Sequence, residues 1–326
     1  MLILGLQGSP RKGGNSDTFM AAFMGRAARA GATVRTIQAA RSGVVPCKGC
    51  GYCEKHGTCV IIDDPMSTEV FGLIRKADLI VAASPVYFYG VSAQLKVLID
   101  RCQTLWSRKY IFRLQDPLAA TRKGLLFSVA ASQGRQLFDG IRLTANYFFD
   151  AINASPTVSL TYRGIEAKGA ISRHAPLAAD VDAAIQTAVL PLVTRKKVLF
   201  VSSQGACRAP MAAAMAQQRY SDRIRTDFAG CSPAADLQAP MLRAMTKNGV
   251  DLGYRQPKPV DQAFFGARPD LVISLDAADA AISDQGLKTI RWTLAETAPS
   301  DDDGMDRLRQ DIQAHTDQLM PLLKNP

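Results

Sequence analysis

The sequence predicts two α/β domains in tandem, each built on a parallel sheet flanked by helices. Three observations support this prediction. An apolar strand at residues 2–7 runs into a loop of small residues, hydroxyls and cations and then into a helix, and residues 198–211 repeat that succession. A second buried strand, residues 78–84, ends in an aromatic, turn-rich loop. Ligands of an open α/β sheet bind at such carboxyl ends of parallel strands.

The loop after the first strand has the composition of a phosphate-binding turn. Gly8, Gly13 and Gly14 would let backbone N–H groups approach an anion closely. Ser9 and Ser16 add hydroxyl donors at the positive end of the following helix. The spacing matches neither the dinucleotide fingerprint nor the triphosphate loop. The phosphate of flavin mononucleotide (FMN) is therefore the predicted ligand, and a plain connecting turn is the alternative.

Three segments resemble the NADPH-dependent FMN reductase branch of the flavodoxin-like superfamily: residues 8–16, residues 84–87 and the helix at residues 95–101. The resemblance covers about residues 1–190, and it implies a flavodoxin-like domain that takes a hydride from NADH or NADPH. It assigns no catalytic residue. It does imply that the FMN phosphate is contacted by Gly8, Ser9, Arg11, Asn15 and Ser16. One side of the flavin ring would be contacted by Pro85, Val86, Tyr87 and Phe88. The other side would be contacted by Ser132 and Gln133, which follow a third strand.

Four cysteines lie between the first two loops with the spacing C-x2-C-x2-C-x5-C: Cys47, Cys50, Cys53 and Cys59. Three thiolates within one short stretch suit an iron–sulfur cubane, whereas zinc sites usually separate two Cys-x2-Cys pairs widely. The segment resembles the compact motif of the iron–sulfur flavoproteins. That resemblance implies a [4Fe–4S] cluster that exchanges single electrons with FMN. Reactive or structural thiols, and a zinc site, are the alternatives.

Composition favours a cytoplasmic enzyme over a membrane protein or a nucleic-acid-binding protein. No apolar run is long enough to span a membrane, and Met1 leads directly into a core strand. Seven cysteines, four of them clustered, are typical of a reducing compartment. The net charge of +10 lies mainly in residues 1–194, as expected of a domain with anionic cofactors. Its cations are scattered and lack the interleaved aromatic residues of nucleic-acid interfaces.

A second domain is expected after an alanine-rich helix and a short basic joint, so the predicted domains are residues 1–193 and 194–326. Residues 198–211, the helix at 241–252 and the strand at 269–276 resemble the low-molecular-weight protein tyrosine phosphatases and the related arsenate reductases. The resemblance covers residues 197–326. It implies a phosphatase-like α/β domain with an oxyanion-binding loop that comprises Ser202, Ser203, Gly205, Cys207 and Arg208.

This second loop lacks the family's nucleophile. Ser202 occupies the position of the reactive thiol, and Ala298 stands where the family has its acid. A serine hydroxyl ionises far less readily than a thiol, and no histidine lies nearby in sequence to act as its base. The sequence therefore predicts a domain that binds an oxyanion or a partner without hydrolysis. The aspartates at 301–303 are interpreted as helix-capping carboxylates of a closing helix rather than substitute acids.

The whole chain is predicted to be an FMN-dependent NAD(P)H oxidoreductase with a phosphatase-like module. One alternative is an arsenate reductase or phosphatase that works through Cys207, whose pKa a cationic loop would lower, with the flavin domain supplying electrons. A redox sensor without turnover is the other. The electron acceptor is expected to be a small molecule or a protein, and the sequence does not identify it. Relatives of the first domain form dimers or tetramers, so a homo-oligomer is expected.

Overall fold

The computed structural model describes residues 1–276, 287–294 and 301–324. The chain divides into two compact units, one formed by residues 1–113 and 121–194 and the other by residues 114–120 and 195–326. The division after Thr194 lies one residue beyond the expected boundary, but nothing in the sequence indicated that residues 114–120 belong to the second unit. Among the described residues, no helix is both long and apolar enough to cross a bilayer.

Five parallel strands form the sheet of the first unit. They are β1 (Leu2–Gln7), β2 (Thr33–Gln38), β3 (Leu79–Pro85), β4 (Lys123–Val129) and β5 (Ser155–Tyr162), in the order β2-β1-β3-β4-β5. The central strands are buried along almost their whole length, because a parallel sheet of this kind is covered on both faces. The strand order reverses at β1 and β3, which is where such sheets bind ligands.

Helices pack on this sheet and position the loops at its carboxyl edge. Phe19 and Phe23 of the first helix pack on Phe127 of β4, and the rings of Phe19 and Phe127 stack with centroids 4.4 Å apart. This packing holds the start of the first helix beside the end of β1. The helices are α1 (Asn15–Arg29), α2 (Tyr52–His56), α3 (Phe71–Lys76), α4 (Ala93–Arg101), α5 (Gln103–Tyr110), α6 (Asp139–Ala151), α7 (Leu177–Ala184) and α8 (Leu190–Val193).

The second unit has four parallel strands in the described residues. They are β6 (Lys196–Ser202), β7 (Ile224–Gly230), β8 (Leu271–Ser274) and β9 (Thr289–Arg291), in the order β7-β6-β8-β9. Its helices are α9 (Arg208–Tyr220), α10 (Ala239–Lys247), α11 (Asp302–Asp317) and α12 (Leu319–Lys324). The two parallel sheets with flanking helices confirm the predicted fold class.

Two details of the second unit bear on the predictions from sequence. The expected helix at 241–252 is shorter, because α10 ends at Lys247 and Gly249 adopts a left-handed φ of 73°. Asp301 caps α11, where its side chain accepts a hydrogen bond from the Gly304 N–H at 2.7 Å. The interpretation of this aspartate as a capping carboxylate is therefore confirmed.

Candidate functional site

The phosphate loop, residues 8–16, connects β1 to α1 at the point where the strand order reverses. Gly8 anchors this loop to the neighbouring backbone. Its N–H donates to the Ala83 carbonyl at 2.7 Å, and its carbonyl accepts from the Ser92 hydroxyl at 2.6 Å. A Cβ at Gly8 would lie 2.7 Å from the Leu95 Cβ, so only glycine permits this approach. Gly8 therefore holds the loop in place, and it does not line the cavity above it.

The loop is bent by hydrogen bonds of its own. The Ser9 N–H donates to the Gln7 side chain at 2.9 Å, and the Arg11 N–H donates to the Ser9 hydroxyl at 3.2 Å. Gly13 has a left-handed φ of 64°, and its N–H donates to Asp17 at 2.8 Å. Although burial acts in the opposite direction, hydrogen bonds from this N–H and from two glutamine side chains hold the pKa of Asp17 below its ordinary value.

A cavity of about 210 Å³ opens between this loop and the ends of β3 and β4. Ser16, at the start of α1, is the informative residue: its hydroxyl oxygen is buried, and among the described residues it has no hydrogen-bond partner. A buried hydroxyl normally has a partner, so one left over at a helix N-terminus fits an anionic ligand that supplies it. The cavity is lined by Ser9, Arg11, Gly14, Asn15, Ser16, Pro85, Val86, Tyr87, Val129, Ala130, Ala131, Ile165, Glu166 and Lys168.

The ring loop, residues 85–91, supplies one wall of this cavity. Pro85, Val86 and Tyr87 line it, as the sequence predicted, but Phe88 does not. Tyr87 and Gly90 exchange two backbone hydrogen bonds, of 3.1 and 2.9 Å, around a tight turn. Phe88 and Tyr89 at the tip have left-handed φ values of 48° and 61°, and the Phe88 side chain is fully exposed. The turn therefore carries the Phe88 side chain out into solvent.

The opposite wall differs from the expectation by one or two residues. Val129, Ala130 and Ala131 line the cavity, whereas Ser132 and Gln133 do not. Gln133 lies instead against Gly164, at whose position a Cβ would be 2.6 Å from the Gln133 side-chain nitrogen. Val129 at the end of β4 and the two alanines that follow it therefore form an apolar wall of the cavity, which suits a flat ring.

A segment that the sequence did not mark completes the cavity. We call residues 165–171 the tether segment, because the Asn15 side chain holds it. The Asn15 amide nitrogen donates to the Ala167 carbonyl at 3.0 Å, and its oxygen accepts from the Ile171 N–H at 3.2 Å. The Asn15 side chain therefore bonds to protein backbone, and since Asn15 also lines the cavity, the contact to phosphate that the resemblance implied stays a prediction. The tether segment brings Glu166 and Lys168 to the cavity.

The four clustered cysteines surround a second cavity, of about 680 Å³, in the same unit. Cys47 and Cys50 are exposed, while Cys53 and Cys59 are partly buried. Within the described ranges, no three His, Cys, Asp or Glu side chains converge closely enough to hold one metal ion. A cubane binds each thiolate at a different iron, so four thiolates around one cavity are the donor set that it needs. The residues present therefore fit a cluster in donor type and number.

A buried ion pair organises the backbone around these cysteines. Arg101, at the end of α4, donates to the Asp64 carboxylate at 3.0 Å and to the Val45 carbonyl at 2.7 Å, and it also bonds to Cys59. Asp64 in turn accepts from the Val45 N–H at 3.0 Å. Although burial opposes both charges, the hydrogen bonds between Asp64 and Arg101 lower the pKa of the carboxyl and raise that of the guanidinium.

In the second unit, the predicted oxyanion loop lies between β6 and α9. Ser202 is buried at the end of β6, and its hydroxyl accepts a hydrogen bond from the Gly205 N–H at 3.2 Å. Arg208 is paired with a carboxylate of the same domain. Its guanidinium donates to Asp276 at 2.9 Å, and the Ser203 N–H donates to the same carboxylate at 2.9 Å. A carboxylate of the chain itself thus bonds to two of the donors expected to bind an oxyanion.

Cys207, the last residue before α9, is a buried thiol. Its sulfur lies 4.0 Å from the Met305 sulfur, and burial raises its pKa to about 11 in spite of the Arg208 charge. Desolvation of the thiolate outweighs the nearby cation, which disfavours the alternative in which a cationic loop lowers this pKa. Ala298, which stands at the position of the family's acid, lies outside the described residues.

Comparisons with known proteins agree with this division. Residues 1–155 match the family model described as NADPH-dependent FMN reductase, and residues 197–292 match the model described as low molecular weight phosphotyrosine protein phosphatase. An iron-sulfur flavoprotein of Methanocaldococcus jannaschii is 41% identical over 105 residues, which is 32% of this chain and 53% of that protein. Another from Methanosarcina thermophila is 39% identical over 120 residues, which is 37% of this chain and 61% of that protein.

The alignments thus span only about half to three fifths of these curated relatives. Among solved structures, an arginine phosphatase from Geobacillus stearothermophilus is 15% identical and covers 40% of this chain and 93% of its own, with a TM-score of 0.35. The two family matches fall on the two units described above. The N-terminal part of the chain is therefore similar to the NADPH-dependent FMN reductases, and the C-terminal part is similar to the low-molecular-weight phosphotyrosine protein phosphatases.

Proposed function

We propose that the N-terminal domain is an FMN-dependent NAD(P)H oxidoreductase that passes electrons to a small-molecule or protein acceptor. The buried Ser16 hydroxyl, which has no partner in the part of the chain that the structure describes, carries this proposal, because it lies at a helix N-terminus in a cavity with one apolar wall. A phosphate would satisfy the hydroxyl, and a flat ring would fit between the ring loop and the end of β4. The family model and the curated flavoprotein relatives support a flavoprotein oxidoreductase.

The residues of the cavity would bind and orient the cofactor. Ser9 and Ser16 would donate to the phosphate, with Arg11 adding positive charge. Pro85, Val86 and Tyr87 would hold the ring and exclude water from one side. FMN itself supplies the chemistry of accepting a hydride and releasing electrons singly or in pairs.

We also propose that Cys47, Cys50, Cys53 and Cys59 bind a [4Fe–4S] cluster that exchanges electrons with the flavin. Their arrangement around one cavity and the names of the curated relatives support this proposal. Arg101, which bonds to Cys59, would place a buried positive charge beside an anionic cluster.

One anaerobic experiment tests both groups. The purified chain should show flavin absorbance, a broad iron–sulfur absorbance, and about four irons and four sulfides for each FMN, the content of one cubane. Oxidation of NADH or NADPH with an artificial acceptor should accompany flavin binding. Protein that neither retains FMN nor quenches its fluorescence would contradict the flavin proposal. Flavin without iron or sulfide would contradict the cluster alone.

For the C-terminal domain we propose a binding role without hydrolysis. Ser202 replaces the thiol, its hydroxyl accepts a hydrogen bond from Gly205, and Arg208 pairs with Asp276. The domain should leave p-nitrophenyl phosphate unchanged under conditions in which a thiolate phosphatase turns over.

An arsenate reductase working through Cys207 is disfavoured because that thiol is buried and its pKa is raised. Arsenate-dependent NADPH oxidation abolished by Cys207→Ser would reverse this conclusion.

We further propose that the protein works in the cytoplasm as a homo-oligomer. Light scattering coupled to gel filtration tests the oligomer, and a monomer at micromolar concentration would contradict it.

A redox sensor remains the alternative to an enzyme. Sustained turnover of NAD(P)H with an acceptor distinguishes the two, because a sensor would be reduced once and then stop.

A further inference from the structure

Lys168 lies over the phosphate loop although it is distant from it in sequence. Its Cε lies 3.4 Å and its Nζ 3.8 Å from the point that a Cβ at Gly13 would occupy. It also lines the cavity that contains the buried Ser16 hydroxyl. Lys168 falls outside residues 1–155, the part of the chain that matches the reductase family model. Neither the sequence pattern nor the family match therefore marked it.

The position of Lys168 is fixed by its backbone. The carbonyl of its neighbour Ala167 accepts a hydrogen bond from the Asn15 side-chain nitrogen, and the Ile171 N–H donates to the oxygen of the same side chain. The Ile165 N–H bonds to the carbonyl of Ala130 at 3.0 Å, which ties the start of the tether segment to the end of β4. The lysine thus lies between two points at which the backbone of the tether segment is anchored.

The charges around the loop leave cations in excess. In the part of the chain that the structure describes, Arg11, Lys12 and Lys168 make no ion pair through their side chains. Two carboxylates lie nearby. Asp17 is already bonded to the Gly13 N–H and to the Gln7 and Gln38 side chains, and Glu166 lines the same cavity as Lys168. An exposed ammonium without a partner contributes little to folding, so its placement here fits a ligand.

We propose that Lys168 binds the terminal phosphate of the flavin and makes the site selective for a phosphomonoester. Its ammonium adds a positive charge from the tether segment to the donors that Ser16 and the N-terminus of α1 supply to the same cavity. Because this inference rests on the proposed FMN function, the test must separate the two. Riboflavin, which has the same ring and no phosphate, provides that separation.

The test measures quenching of flavin fluorescence when FMN or riboflavin is titrated into the full chain after its flavin has been removed. Lys168→Met should weaken FMN binding about tenfold, the effect of one charge-assisted hydrogen bond at a partly exposed site. Riboflavin binding should not change. The FMN deficit should shrink as salt is raised, because screening weakens the lost attraction. Lys168→Arg should restore most of the affinity, since it keeps the charge.

Arg35→Met is the matched control, because it removes one exposed cation from the same domain, on β2. It should leave FMN affinity unchanged. Equal FMN affinity in Lys168→Met and wild type, or an equal loss for FMN and riboflavin, would overturn the inference. If the wild-type chain binds neither flavin, the proposed function itself fails. Circular dichroism of each variant identifies any loss of fold.

Discussion

The two domains begin alike, with a buried strand, a turn of small residues and a helix, yet the two turns differ in what their donors contact. In the phosphate loop the Ser16 hydroxyl has no partner among the described residues, and the nearby cations are unpaired. In the second loop the Ser202 hydroxyl is bonded to Gly205, and Arg208 is bonded to Asp276. Similar local sequences therefore leave a buried hydroxyl without a partner among the described residues in one domain and give an internally bonded turn in the other.

Ion pairs that differ in burial should give the largest contrast. Arg101 and Asp64 are buried, with side chains 1% and 5% exposed, whereas Lys96 and Asp100 are 49% and 45% exposed. Asp64→Ala would leave a buried cation without its carboxylate and should lower the free energy of unfolding by about 3 kcal/mol. Urea denaturation measures this loss in the free energy of unfolding. Asp100→Ala, which removes an exposed pair with Lys96, should cost less than about 0.5 kcal/mol, and similar costs for both would contradict the argument.

Thiol labelling sharpens the comparison next. The exposed Cys47 and Cys50 should react with iodoacetamide in iron-free protein, whereas Cys207 should react about 100-fold more slowly near pH 8. The reason is that burial raises the pKa of Cys207 to about 11, so little of this thiol is ionised at the pH of the labelling reaction. Peptide mass spectrometry follows each site. Rapid labelling of Cys207 in folded protein would instead support a reactive thiol in the second domain.

The two serines should separate function from stability. Ser16→Ala removes a hydroxyl without a partner, so it should leave the stability of the flavin-free chain unchanged while weakening FMN binding about 30-fold. Ser202→Ala removes an acceptor from the Gly205 N–H and should lower the free energy of unfolding by about 1 kcal/mol, with no effect on FMN. Denaturation and fluorescence titration of both variants test the pair. A stability loss in Ser16→Ala would mean that its hydroxyl has an internal role.

The smallest effect should come from opening the second loop. Asp276→Asn removes the charge that neutralises Arg208, and it should raise the affinity for inorganic phosphate about tenfold, because a like charge no longer lies in the site. Isothermal titration calorimetry measures the change. Asp270→Asn is the control, since that residue bonds to the Lys197 N–H away from the loop. Unchanged phosphate binding in Asp276→Asn would show that the internal carboxylate does not control the loop.

Local patterns predicted the parts of the site that are contiguous in sequence. Ser9 and residues 85–87 lie at the ends of buried strands, and Ser16 lies at the start of the helix that follows β1, where apolar runs and turn residues mark the elements and their ends. Ser132 and Gln133 missed the cavity because the exact end of β4 depends on its pairing with β5. Lys168 and Asp276 could not be predicted, because long-range contacts place them: the tether through Asn15 and the pairing with Arg208, 68 residues away.

The short excursion at residues 114–120 has a practical consequence for dissecting the protein. Gln115 exchanges backbone hydrogen bonds with Gly249 and Asp251, at 2.8 and 2.9 Å, and Asp116 pairs with Arg255 at 3.3 Å. A fragment cut at residue 195 would keep every described strand of the second sheet and still expose those backbone groups and that guanidinium. A single cut in the chain therefore does not separate the two units. To preserve these contacts, an isolated C-terminal domain should carry residues 114–120 as a linked peptide.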